Sequence, residues 1–126
     1  MSRDDRTRAV SVGAGRTIQI GNLYASQARI ESGEAFETLL RGEQVHIERI
    51  LSSAEPDPVL YDQEWDEWVC LLQGEAELMV DGARIDLRAG DHLLIPARTP
   101  HRVLRTSVEP HCLWLAVHLL DRTSSQ

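Results

Sequence analysis

"EWVCLLQGEAELMVDGARIDLRAG", residues Glu67 to Gly90, carries the pattern on which the fold rests. Past Gly74, Ala76, Leu78 and Val80 alternate with Glu75, Glu77 and, at one position, Met79; Asp81-Gly82 interrupts, and Ala83, Ile85 and Leu87 resume the alternation with charged neighbours. A period of two places one set of side chains on one face of an extended chain, so each run reads as a half-buried strand. An Asp-Gly pair between two such runs is a hairpin turn, because both positions tolerate positive φ. Before Gly74 the chain is continuously apolar from Val69 to Leu72, and before that lies "YDQEWDEW", Tyr61–Trp68, crowded with acids and aromatics.

Working outward, "AGDHLLIPARTPHRVLRT" reads as a turn, a short strand, a proline-bounded loop and another strand, and "HCLWLAVHLL" as a final strand apolar on both faces. Upstream, "AEPDPVLYDQ" holds Pro56 and Pro58 and reads as a loop. In "EQVHIERILSS", Val45, Ile47 and Leu51 alternate with polar residues, a strand whose polar face includes His46. "SGEAFETLLRG" fits a short helix, with Ser32 or Gly33 as cap, Phe36, Leu39 and Leu40 on one face and Gly42 as stop. "RTIQIGNLYA" reads as a strand and a turn. About eight short strands with one helix predict an all-β, antiparallel sandwich or barrel. The expected organisation is a flexible arm over residues 1–16, one domain over 17–120 and a flexible tail over 121–126.

Composition removes several classes of function. The chain has 126 residues, enough for one core, and a net charge of −7, which disfavours a nucleic-acid partner. All thirteen basic residues are arginine, so lysine Schiff-base chemistry and a Walker-type phosphate loop are excluded. No segment suits a membrane span or a secretory signal, and a cytoplasmic location is expected. Cys70 and Cys112 lie far apart inside apolar runs and read as free thiols.

Alternation puts Tyr61, Gln63, Trp65, Glu67, Val69 and Leu71 on one face, and His101, Val103 and Arg105 on one face of a later strand. A carboxylate at the border of an apolar interior needs a cation, a donor or a proton. If both faces line one interior, Glu67 meets His101 and Arg105, and metal coordination, an Arg–carboxylate pair and an acid–base couple all fit. His118 shares a face with Cys112, Trp114 and Ala116 and reads as a core histidine or as a further pocket residue. His46, His92 and His111 read as exposed, as do Asp62, Glu64 and Asp66.

Two motifs carry a resemblance. Glu67, six residues and Gly74 resembles the first motif of the cupin superfamily; Gly90, five residues, Pro96, Ala97, Arg98, two residues and His101 resembles the second. The likeness spans residues 44–119 and extends to small single-domain bacterial cupins of the conserved-barrel type. It implies a double-stranded β-helix, or jelly-roll barrel, and frequent homodimers. In the usual cupin site two histidines and a glutamate from the first motif join one histidine from the second around iron, manganese, nickel or zinc. Here Tyr61 and Gln63 stand where the first two histidines belong, Arg98 replaces a turn glycine and Arg105 an asparagine. The resemblance therefore implies Gln63, Glu67 and His101 as the ligands of a weakly held zinc, manganese, iron or nickel ion, with Tyr61, Trp65, Arg105 and His118 around the pocket. Phosphomannose isomerases, which are cupins, use a glutamine in this way.

Fold and motif do not determine chemistry on such a scaffold. One reading is a protein that binds a small polar or anionic molecule, the anion being suited by Arg98 and Arg105. The alternative is a metal-dependent isomerase, lyase or oxygenase acting on a small polar substrate, with Tyr61 moving a proton.

Overall fold

The computed structural model describes residues 8–25 and 30–120. Ten strands follow one another: β1 (Arg8–Val12), β2 (Arg16–Ile20), β3 (Glu34–Arg41), β4 (Val45–Ser52), β5 (Asp66–Gln73), β6 (Glu75–Val80), β7 (Ala83–Arg88), β8 (His92–Ile95), β9 (His101–Thr106) and β10 (Cys112–Leu119). All pairings are antiparallel. Strands β3-β4-β10-β5-β8 form a five-stranded sheet, β7-β6-β9 a three-stranded one, and β1-β2 a separate hairpin. That hairpin begins inside the stretch expected as an arm. Residues 1–7 and 121–126, the rest of the expected arm and tail, lie outside the described residues.

The core lies between the two larger sheets. Val69 and Leu71 of β5, Ile95 of β8 and Cys112, Trp114 and Ala116 of β10 pack against Ala76 and Leu78 of β6 and Leu87 of β7. The alternation read from Ala76 to Leu87 holds: β6 and β7 pair from Glu75↔Arg88 to Val80↔Ala83 around Asp81 and Gly82, both at positive φ. β10 is the central strand of its sheet, paired with β4 on one side and β5 on the other; Cys112, Trp114, Ala116 and His118 are buried on its inward face and Leu113 is buried on the other. The thiols of Cys70 and Cys112 are free.

The short helix does not form. Glu34–Arg41 is strand β3, paired with β4 from Glu34↔Ser52 to Arg41↔His46, with a bulge between Thr38 and Leu40. That extra residue shifts the strand's phase. It explains how Phe36, Leu39 and Leu40 mimic a helical face while all three stay exposed. Tertiary pairing overrides a weak local preference. Gly33 is not a cap but a turn at φ +70, its N–H bonded to Glu55 O at 2.7 Å.

Arg49, on the outward face of β4, ties down the segment after the hairpin. Its guanidinium donates to Asn22 O and Leu23 O at 2.9 Å each and pairs with Glu37.

Candidate functional site

Residues 60–67 enter β5 alongside the loop that precedes β9. Tyr61 and His101 exchange backbone hydrogen bonds at 2.8 and 2.9 Å, and Arg98 N donates to Gln63 O at 2.6 Å. Asp66, expected to be solvated, instead accepts the Ala97 N–H at 2.8 Å. Asp62 faces the Arg98 guanidinium at 3.5 Å. Arg98 itself sits at φ +59, the conformation for which the second motif ordinarily keeps a glycine. These ties bring the starts of β5 and β9 together, and with them Glu67 and His101.

Glu67 and His101 face one lumen. Both are buried, and Glu67 Oε1 lies 3.6 Å from His101 Nε2, while Gln63 Nε2 donates to the same oxygen at 3.1 Å. His101 Nδ1 donates to Thr99 O at 2.8 Å, which leaves Nε2 as the nitrogen aimed at the carboxylate. Burial works to raise the Glu67 pKa, but His101, the His118 charge and Gln63 outweigh it and hold the carboxyl below its ordinary 4.5. Burial likewise works to lower His101, and Glu67, the Thr99 carbonyl and the Asp62 charge carry it above 6.5.

The lumen is a cavity of about 120 Å³. Ile50, Val69, Leu78, Ile95, Val103 and Trp114 make its apolar wall; Tyr61, Gln63, Glu67, His101 and His118 converge at its polar end. Trp65 does not line the cavity but reaches its edge, its indole N–H donating to His118 Nδ1 at 2.9 Å. Tyr61 stacks on the His101 ring, centroids 5.7 Å apart. Burial and the surrounding carboxylates push its phenol above 10, so it can donate a proton but is a poor base at neutral pH.

Arg105 is not in the pocket. Alternation from His101 and Val103 pointed it inward, but a bulge between β6 and β9 pairs Leu78 with Val103 and Glu77 with Arg105, leaving Leu104 as the extra residue. The phase flips there. Thr106 is buried, and Arg105 lies exposed, 3.9 Å from Glu77.

β4 also runs opposite to the expected phase. His46, Glu48, Ile50 and Ser52 share the inward face, and Glu48, Ile50 and Ser52 line the lumen, as do Glu34 and Asp57. Burial and the Asp57 charge raise the Glu34 pKa, and the buried Glu34 Oε2 has no hydrogen-bond partner. The lining thus holds four carboxylates, Glu34, Glu48, Asp57 and Glu67, against two imidazoles and no arginine. The sequence signal for these residues was ambiguous, because β4 is only half-buried on both faces.

His118 is fixed from both sides. It lies directly across the sheet from His46 and Glu67, and its Nε2 meets Glu48 Oε2 at 2.7 Å. Burial works against the charged ring, while the Glu48 hydrogen bond and the charges of Glu67 and Glu48 favour it. Trp65 opposes charging, since an indole N–H only donates and needs a lone pair on Nδ1. The balance raises the His118 pKa above the ordinary 6.5; the Trp65 hydrogen bond belongs to the neutral form of the ring, which carries its proton on Nε2 toward Glu48. His46 stacks on His118 at 5.4 Å rather than standing free in solvent, and ligand atoms of His46, Glu48 and His118 lie within 4.8 Å of one another, a group that could hold a metal.

Glu67 and His101 fit an ion between them. Two ligand atoms on a tetrahedral ion with bonds of about 2.1 Å stand about 3.5 Å apart. The observed separation is 3.6 Å, and the Thr99 carbonyl fixes His101 in the tautomer a ligand needs. Gln63 would have to turn its amide to offer oxygen, because its nitrogen now faces Glu67.

Two antiparallel sheets closed around an acid–imidazole lumen define a small β-barrel fold. The chain belongs to the cupin superfamily: the family profile described as a cupin domain matches residues 52–118. A crystal structure from Ralstonia eutropha JMP134, of a protein provisionally named a mannose-6-phosphate isomerase, is 38% identical, covers 80% of this chain and 97% of its own, and superposes with a TM-score of 0.70. A cupin superfamily protein from Desulfitobacterium hafniense DCB-2 is 23% identical, covering 90% and 99%, with a TM-score of 0.69. The cupin domain of Schizosaccharomyces pombe Cnp3 is 12% identical, covering 94% and 86%, with a TM-score of 0.74. The last two speak for the fold alone. Comparison with curated proteins finds no match. Among the described residues no helix is long and apolar enough to cross a membrane.

Proposed function

We propose that the lumen binds a small polar molecule, neutral or cationic, with Glu67, His101 and Gln63 as its polar contacts and the apolar wall as its shape filter. The supporting observation is convergence: an apolar cavity with a few aimed polar groups at one end is the usual form of a small-molecule site. The anionic ligand loses its motive, because Arg98 and Arg105 pair with Asp62 and Glu77 outside the lumen and the lining is rich in carboxylates. A divalent ion held by Glu67 and His101 would act there as a Lewis acid.

The alternative is an isomerase or lyase in which Tyr61 donates a proton to the bound molecule. The 38% identity to the provisionally named mannose-6-phosphate isomerase favours it. The lining, with no arginine and a chain with no lysine, argues against a phosphorylated substrate. A thermal-shift panel of neutral sugars, polyols, amines, carboxylates and sugar phosphates tests both readings. The expected result is stabilisation of the wild type by neutral or amine compounds, lost in Glu67→Gln. Stabilisation by carboxylates or sugar phosphates alone, or by nothing that Glu67→Gln fails to match, contradicts the proposal.

A further inference from the structure

His46 and His118 occupy directly opposed positions on β4 and β10, and Glu48 follows His46 by two residues on the same face. Cross-strand register therefore holds two imidazoles and a carboxylate together without help from any loop. Two histidines and one glutamate are a donor set that zinc uses with water in the fourth position. None of the three belongs to the motif that carries Glu67 and His101. Of the charged groups around the cluster, Arg41 lies 3.4 Å from His46 Nε2 and is exposed, free to swing away, while Glu67 stands beside His118 and favours a cation.

The obstacle is Trp65. A zinc-bound imidazole normally carries its proton on the other nitrogen and donates it to an acceptor. His118 Nδ1 instead receives the Trp65 N–H, and its Nε2 proton points at Glu48. Placing an ion on Nε2 moves the proton to Nδ1, where it confronts a second donor, so Trp65 must let go.

We propose that His46, Glu48 and His118 form a zinc-binding site separate from the Glu67–His101 pair, and that the Trp65 indole N–H competes with the ion for His118. The site goes beyond the lumen reading, since different residues carry it. Its distinctive consequence is that removing the Trp65–His118 hydrogen bond improves binding.

Equilibrium dialysis of chelator-treated full-length protein against zinc, with metal content and affinity as readouts, tests it. The wild type is expected to take up one zinc per chain at this site, in addition to any ion held by Glu67 and His101, and His46→Ala and Glu48→Gln to bind that ion roughly tenfold or more weakly, each having lost one of three ligands. Trp65→Phe keeps the ring but not the donor and should bind about fivefold more tightly, one ordinary hydrogen bond's worth. Glu67→Gln removes a neighbouring charge but no ligand of this site and should retain its ion, with affinity reduced less than in the His46 and Glu48 variants. No uptake by the wild type overturns the site, as does loss confined to Glu67→Gln with the His46 and Glu48 variants unaffected. Unchanged or weaker binding by Trp65→Phe overturns the competition. Far-ultraviolet circular dichroism of each variant separates lost ligation from lost fold.

Discussion

Gly74→Ala is expected to destabilise the fold by about 3 kcal/mol or more, lowering the melting temperature by about 10 °C. Gly74 sits at φ +93 between β5 and β6, where an L side chain costs about 1–2 kcal/mol before it touches anything. A Cβ there would stand 2.8 Å from Ser107 Oγ, 2.9 Å from Cys112 Sγ and 3.0 Å from Cys112 Cα. None of the three can retreat freely. Ser107 Oγ donates to Pro110 O and accepts the Glu75 N–H, the Cys112 thiol donates to Glu75 O, and Cα belongs to the central strand β10. A thermal melt of Gly74→Ala within about 3 °C of the wild type would show that this corner is looser than the geometry implies.

Trp114→Ala should cost about 4 kcal/mol, measured by urea denaturation. The indole is buried in the core and forms one wall of the lumen, so its loss opens a void between the sheets. It also strands Ser52, whose fully buried hydroxyl accepts the indole N–H at 2.9 Å. Trp114→Phe restores most of the volume but not the donor and should cost about half as much. The same pair bears on function, because the alanine variant enlarges the cavity that Glu67 lines far more than the phenylalanine variant does. If alanine and phenylalanine prove equally costly, the hydrogen bond rather than the packing holds that wall.

The architecture was largely legible, and for a physical reason. β6 and β7 announce themselves because one face is buried and the other wet, so a period of two is written into Ala76–Leu87. The two motif glycines, Gly74 and Gly90, mark turns at positive φ that few other residues tolerate. Alternation put Glu67 and His101 each on a strand face with apolar residues, and the resemblance to the two cupin motifs then singled them out. What escaped was whatever depends on phase. Leu104 adds one residue to β9 and turns Arg105 outward; the bulge near Leu39 in β3 imitates a helical stripe; β4 is partly buried on both faces and hides Glu48. A bulge leaves no compositional mark, so only the partner strand reveals it. The acids at Glu34 and Asp57 were out of reach for another reason, since no local spacing relates them to β5 or β9.

The same geometry dictates a pH dependence. Glu67 is lowered from 4.5, so its contribution to stability is present above that value and fades as pH falls through the folded pKa; His101 is raised from 6.5, so its contribution is full below that value and fades as pH rises through the folded pKa. Together they stabilise the fold most between 4.5 and 6.5. The central claim is that these two groups meet inside one lumen, and titrating the His101 imidazole by nuclear magnetic resonance in the wild type and in Glu67→Gln tests it most directly. The account predicts a wild-type pKa above 6.5 that falls in the variant, where burial acts without the compensating carboxylate. An imidazole that titrates at the same pH in both proteins would contradict it.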